Sequence, residues 1–297
     1  MNKIGYYIIY FILYIHALLP FKVLYILSDI LYFWVYKIVG YRLKVVRENL
    51  KSSFPDKNEH ELKKIERQFY RHFCDYFVET IKLLHVSDKE IQERFVFNNM
   101  EIVHDLMSKG KSGIMYLGHY GNWEWVPSIN LLFNDGSLLG QIYRPLKNKV
   151  FDEIFLKIRS RFGSVGIPKN DTLRAIINYK RQGEKILIGF MSDQSPSPGN
   201  IHYWTNFLNH ETGVYTGVER IAKKTDFFVT YLDIIKEGRG RYTAHVKLIT
   251  DNPKVEPEFT ITEKYIREME KTILREPAYW LWTHKRWKHK KENIIKE

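Results

Sequence analysis

Two apolar stretches open the chain. Residues 4–19 contain no Asp, Glu, Lys or Arg, and His16 is their only ionisable residue besides tyrosines. Pro20 interrupts, Lys22 follows, and a second apolar stretch runs over 23–39 with Asp29 and Lys37 inside it. From 59 to 84, Leu62, Ile65, Phe69, Phe73, Phe77, Ile81 and Leu84 recur three or four apart, the spacing of one face of a long helix. Ser87 to Glu90 reads as a capping box opening another. Beyond about residue 95 the pattern alternates. Strand-like runs at 114–117, 138–143, 186–191, 227–235 and 242–249 are separated by helix-like runs at 122–133, 148–162, 172–181 and 214–224. Gly110, Gly163 and Gly183 are placed as helix stops. After Lys185, the run to Met191 is apolar on both faces, as in a central sheet strand. The order predicts an α/β fold with a helical N-terminal part.

That N-terminal part reads as membrane-associated. At about 1.5 Å per residue, 4–19 is slightly short for a perpendicular span. A signal peptide is disfavoured because no small-residue cleavage site follows and the second apolar stretch continues directly. Tyr6, Tyr7, Tyr10, Tyr14, Tyr32 and Trp34 suit a membrane interface, so a spanning or re-entrant anchor is expected over 1–40. Arg42, Lys44, Arg47 and Lys51 come next and place the remainder on the cytoplasmic side. A helical segment at 41–95 and an α/β domain at 96–297, ending in a basic tail after Trp282, complete the division.

The chain has 297 residues and a net charge of +12. That balance favours acidic partners: nucleic acid, anionic lipid headgroups or an acidic carrier protein. An apolar anchor argues against nucleic acid. The single cysteine, Cys74, excludes a disulfide framework and sits in a helical pattern as a core residue.

Candidate chemistry concentrates where strands give way to helices. Leu117-Gly118-His119-Tyr120-Gly121-Asn122-Trp123-Glu124 follows a buried strand and sets a histidine and a glutamate five positions apart. A carboxylate there can fix an imidazole tautomer and stabilise its protonated form, giving a general base. Arg144, before Pro145, lies on the same carboxyl edge if the two strands run parallel, and Arg159 and Arg161 follow on a helix. Arginine forks suit phosphates and oxyanions. Asp193 and Gln194 leave the central strand for a proline-rich loop, where a turn-forming aspartate is the competing reading. Gly110-Lys111-Ser112 resembles the end of a phosphate loop, but the strand follows it instead of preceding it. No zinc-hydrolase or serine-esterase motif occurs.

Taken in order, these pieces resemble the lipid A late acyltransferases, the lauroyl/myristoyl-type enzymes of the Gram-negative inner membrane. They are the apolar N-terminus; Arg47-Glu-Asn-Leu50 with Phe54-Pro55; His119-x4-Glu124; Tyr143-Arg-Pro145 with Asn148 and Arg159-x-Arg161; Ser192-Asp-Gln194; Thr212-Gly213 before a helix; and Tyr279 through Arg286. The resemblance implies a glycerolipid-acyltransferase-like mixed sheet flanked by helices. It implies transfer of a fatty acyl chain from acyl carrier protein, as co-substrate, to a hydroxyl of a lipid A precursor, without metal or other cofactor. By this resemblance His119 is the base, Glu124 its partner and Arg159 the arginine near the reaction centre. Arg159 or backbone N–H groups near Gly118 then stabilise the oxyanion. Arg144, Arg161, Asp193, Gln194 and Asn122 are expected on the substrate side. The expected location is the inner membrane with the catalytic domain facing the cytoplasm. Three alternatives stand beside this reading: another glycolipid or amino-acid lipid as acceptor, possibly with acyl-CoA; a non-catalytic tethered binding protein; and a lipid hydrolase.

Overall fold

The computed structural model describes residues 3–294. The outermost positions of the expected anchor and α/β domain, 1–2 and 295–297, lie outside the described residues. Two apolar helices, α1 (Lys3–Leu18) and α2 (Phe21–Tyr32), meet at Pro20 with a bend of 118°, and a π-helical turn, Phe33–Ile38, continues α2. Among the described residues no single helix is long and apolar enough to cross a membrane; the bent pair has the length and composition together. Helices α3 (Leu43–Ser53), α4 (Glu59–Lys82) and α5 (Asp88–Arg94) follow. The chain then runs through β1 (Phe95–Asn98), α6 (Glu101–Ser108), β2 (Gly113–Leu117), β3 (Leu138–Tyr143), α7 (Lys149–Ser160), β4 (Val165–Pro168), α8 (Thr172–Arg181) and β5 (Ile186–Met191). After β6 (Tyr203–Phe207) and β7 (His210–Val214) come α9 (Gly217–Thr225), β8 (Phe228–Gly238), β9 (Arg241–Thr250), α10 (Thr260–Arg275) and α11 (Lys291–Ile294).

Seven strands form one mixed sheet in the order β1-β9-β8-β2-β5-β3-β4, with helices packed around it. Only β8 and β9 pair antiparallel; β2, β5 and β3 run parallel side by side, so their carboxyl ends share one edge. Strand β2 is buried along its whole length, which explains its unbroken apolar run. A Cβ at Gly113 would fall 2.2 Å from the Phe228 ring of β8, so the ring packs on bare backbone there. A separate hairpin joins β6 to β7 through Leu208 and Asn209, both left-handed, as a tight hairpin turn requires.

Helix α4 holds the two parts together. Asn58 and Glu61 cap its start reciprocally. The expected box at Ser87 is half formed: Ser87 accepts the Glu90 N–H, while the Glu90 carboxylate turns to Arg94. The apolar face read from the sequence is only one buried side of α4. Phe77 on that face is 41% exposed, whereas Glu66, His72, Asp75 and Glu79 are buried. These polar groups receive the N-terminal helices: Ser28 donates to Asp75 at 2.7 Å, Tyr36 to Glu66 at 2.7 Å and Tyr25 to Glu79 at 3.1 Å. Their hydrogen bonds offset the cost of burying them.

Candidate active site

The segment after β2 cannot continue as a strand. Gly118 presses against α10, where a Cβ would lie 2.3 Å from Met269 Sδ. Gly121 turns the chain with a φ of 59°, and Ile234 leaves no room for a side chain beside it. The helix expected over 122–133 forms as a tighter 3₁₀ helix, Trp123–Leu132, with Pro127 inside it. A proline removes a backbone donor and disturbs regular helical bonding. The C-terminal segment clamps this loop: Gly121 donates to the Tyr279 carbonyl at 3.0 Å and Leu281 to the His119 carbonyl at 3.1 Å. The aromatic and basic run 279–287 is therefore largely interior, with Trp280, Trp282 and Arg286 buried.

His119 does not pair with Glu124. Its Nδ1 lies 2.8 Å from Asp193 Oδ1, and its backbone N–H donates to Oδ2 of the same carboxylate at 3.0 Å. Trp280 Nε1 adds a third hydrogen bond to Asp193 at 2.8 Å. Asp193 is 1% exposed. Burial works against its charge, but the attraction of His119 and these donors outweigh it and draw the carboxyl down to about 2. Asp193 Oδ1 and Nδ1–H thus fix the tautomer, leaving Nε2 with the lone pair; Nε2 has no protein partner among the described hydrogen bonds.

Glu124 is committed elsewhere. Arg159 grips it with both arms, Nε to Oε2 at 2.7 Å and Nη2 to Oε1 at 2.5 Å, and Tyr76 donates to Oε1 at 3.3 Å. The turn at Gly121 and the 3₁₀ start carry Glu124 toward α4 and α7, so five positions in sequence do not become a contact. Burial opposes the charge of Arg159, but Glu124 more than compensates and holds its pKa above the ordinary value. The Tyr76 phenol, buried beside Glu124, is pushed well up and stays protonated.

His119, Glu124, Arg159, Arg144 and Gln194 nevertheless line one cavity of about 410 Å³. Its walls are mostly apolar: Met115 and Leu117 from β2, Leu139 from β3, Leu187 and Met191 from β5, Phe155 from α7. These strand residues share one sheet face, and Gly189, paired with Met115 and Gln141, leaves a gap in it. A second cavity of about 350 Å³ shares His119, Arg144 and Gln194 with the first and adds Lys169, Thr172 and Tyr215. The imidazole therefore stands where two cavities meet, with Arg144 on the edge expected from parallel β2 and β3.

Two expected substrate residues lie elsewhere. Asn122 is fully buried and donates to Glu79 Oε2 at 2.7 Å, fastening the loop to α4. Arg161 donates to the carbonyls of Leu83 and Val86, tying the end of α7 to the turn before α5. The backbone N–H groups of His119, Tyr120 and Gly121 all have acceptors, so the loop just after Gly118 offers no spare donor there. The role of Asp193 was beyond local reading because 74 positions separate it from His119. Arg286 falls in the segment expected as a basic tail, and neither its burial nor that of Trp280 leaves a local sign in the sequence. Arg286 is 1% exposed and donates to the carbonyls of Asp193 and Gly213 and to Thr212 Oγ1. Burial lowers its pKa to about 10, leaving it cationic at neutral pH. Three segments singled out in the sequence thus meet at one guanidinium. Among the described residues no group of three or more His, Cys, Asp or Glu converges on a metal-binding arrangement.

The family described as bacterial lipid A biosynthesis acyltransferase matches residues 1–289. A lipid A biosynthesis acyltransferase of Haemophilus influenzae is 25% identical over 85% of this chain and 79% of its own length. The lipid A biosynthesis myristoyltransferase of Escherichia coli is 23% identical over 83% of this chain and 75% of its own. The lauroyltransferase of the same organism is 22% identical over 95% of this chain and 91% of its own. A histidine held by a buried carboxylate at the mouth of an apolar cavity suits acyl transfer, and the chain belongs to the bacterial lipid A biosynthesis acyltransferase family.

Proposed function

We propose that this acyltransferase moves a fatty acyl chain from an acyl carrier protein thioester to a hydroxyl of a lipid A precursor, using a His119–Asp193 base. The observation that carries the reading is His119 Nδ1 at 2.8 Å from a buried carboxylate, its ring lining an apolar cavity. The acyl chain lies against Met115, Leu139 and Leu187, and the acceptor approaches through the second cavity, past Arg144 and Lys169. His119 Nε2 takes the proton of the acceptor hydroxyl, and Asp193 stabilises the imidazolium. The oxygen attacks the thioester carbonyl carbon; the tetrahedral intermediate collapses, the C–S bond breaks, and the imidazolium returns the proton to the leaving thiolate. Arg159 Nη1, which has no acceptor among the described hydrogen bonds, is the donor for the oxyanion; its other two nitrogens are held by Glu124. Glu124 is thus a positioning residue. The charge of +12 attracts an acidic carrier protein and lipid phosphates, and the apolar N-terminal helices seat the enzyme at the cytoplasmic face of a membrane.

The test is purified full-length protein with a lipid A precursor and carrier proteins loaded with chains of several lengths, the product weighed by mass spectrometry. The wild-type chain adds one acyl group. His119→Ala loses about 10³-fold or more in turnover while remaining folded. Near-normal transfer by that variant defeats the base assignment, and an unmodified lipid A precursor with free fatty acid released defeats the transfer itself.

A further inference from the structure

Among the described residues, most of the exposed large apolar side chains fall between Tyr7 and Tyr41. On α1 they are Tyr7, Phe11 and Ile15 on one line, with Ile8, Ile12 and Leu18 beside it; Tyr7 and Phe11 are 64% and 63% exposed. On α2 and the π-helical turn they are Val23, at 38%, and Ile26, Ile30, Phe33, Trp34 and Ile38, each more than half exposed. The opposite flank is buried: Ala17, Phe21, Leu24, Ser28 and Tyr36 are all at or below 5%. Each helix therefore has an inner side fixed to the protein and an outer side that is apolar and uncovered.

The inner side is fastened by polar ties along its length, which a freely spanning helix would have to surrender. Lys157 of α7 sits over the Tyr10 ring at 4.2 Å, and Tyr14 Oη meets His85 Nδ1 at 3.3 Å. At the bend, Lys82 Nζ donates to the carbonyls of Ala17 and Leu19, both at 2.9 Å. On α2, Ser28 and Asp29 are engaged by Asp75 and Arg239. Lys22 on α2 and Lys37 on the π-helical turn are exposed, as is Lys51 on α3, matching anionic headgroups. Aliphatic positions with tyrosine and tryptophan among them suit a bilayer interface.

We propose that α1 and α2 lie in the plane of one anionic leaflet, their outer flank sunk among acyl chains, with the N-terminus on the same side as the catalytic domain. The inference rests on the membrane association proposed above and specifies its mode. It also places the acyl-chain cavity relative to the bilayer. Helix α7, which walls the cavity through Phe155 and Arg159, packs on α1 through Lys157. Phe151 of α7 and Leu146 at the cavity rim are 40% and 44% exposed. An in-plane seat sets that rim at the level of the leaflet, so the apolar cavity opens toward the membrane.

The test uses the full chain with Cys74→Ser, carrying either Asn2→Cys or Lys51→Cys, in right-side-out and inside-out membrane vesicles treated with a membrane-impermeant maleimide. Both cysteines label from the cytoplasmic face alone. Labelling of the two from opposite faces overturns the in-plane seat and leaves membrane association standing. Absence of the chain from the membrane fraction overturns membrane association itself. A second arm replaces Phe11, Ile12 and Ile15 with Gln. Binding to phosphatidylglycerol-containing vesicles falls at least tenfold while the melting temperature holds. Unchanged vesicle binding, or a dimer in detergent-free solution that this triple variant dissociates, assigns the face to another occupant and overturns the proposal.

Discussion

At the residue scale, two carboxylates compete for the role of histidine partner, and geometry separates them. Asp193 touches the imidazole; Glu124 touches Arg159. The carboxylate on Nδ1 holds the tautomer that leaves the lone pair on Nε2, so its loss removes the base. Asp193→Asn therefore loses about 10³–10⁴-fold in kcat, since an amide there holds the wrong tautomer. Glu124→Gln leaves that tautomer in place and lowers kcat by a smaller factor. A larger loss in Glu124→Gln than in Asp193→Asn reverses the assignment. The Glu124–Arg159 pair has a further signature. Glu124 is 3% exposed, so Arg159→Leu strands a buried charge at a cost of about 3–5 kcal/mol. Adding Glu124→Leu removes that charge, and a denaturation cycle shows the double variant recovering part of the loss.

At the element scale, β2, β3 and β5 form the cavity floor, and Gly189 is the gap in it. A Cβ at Gly189 meets Leu117 and the Gly140 carbonyl only at 3.7 and 3.8 Å, ordinary contact distances, so the backbone tolerates a side chain there. With the acyl chain in this cavity, Gly189→Leu occupies the space of about three methylenes. At about 0.8 kcal/mol each, kcat/KM for the longest accepted donor falls roughly 50-fold, while donors shorter by three or four carbons are spared. Equal loss across all lengths places the chain elsewhere. The same three strands were legible in the sequence because a central parallel strand is an apolar run bounded by turns. The short strands β1, β4, β6 and β7 carry too few residues to show a period. Helix α10 was readable, with Ile261, Tyr265, Met269 and Ile273 at four-residue spacing, and was absent from the expected elements. The site was half legible. His119, Arg144 and Gln194 follow strand ends, and topology alone gathers them. The Asp193 partnership, the diversion of Glu124, the interior placement of Asn122 and the tie of Arg161 to the Leu83 and Val86 carbonyls depend on contacts across the fold that leave no local pattern.

At the scale of the whole molecule, α4 joins the N-terminal helices, the loop that carries His119 and the β8–β9 hairpin through buried polar groups. Glu79 accepts from Asn122, Tyr242 and Tyr25; His72 Nε2 donates to the Gly121 carbonyl at 3.1 Å, and its Nδ1 accepts from Lys236 at 3.2 Å. A second proton on His72 would be buried and would face that ammonium, so burial first and Lys236 second push its pKa well below 6.5. Between that ordinary value and the depressed one, the unfolded chain binds a proton the folded chain refuses. Stability is therefore full above about pH 6.5 and declines as pH falls, by at most about 1.4 kcal/mol per unit from this residue. His284, held down to about 4 mainly by burial, adds the same sign over the same window. Asp193 and Asp233, both near 2, respond only below about pH 4, in the same direction. Glu79, whose carboxyl burial pushes up, works the other way and gains a proton in the folded state. Since these contributions overlap, the slope change in a single variant isolates His72. Between pH 7 and pH 5 the melting temperature of the wild-type chain drops by several degrees, and the drop is shallower in His72→Gln at any absolute stability. Parallel melting profiles for the two proteins exclude His72 as the source of acid sensitivity, and with it the view that this imidazole is locked neutral between Lys236 and the Gly121 carbonyl.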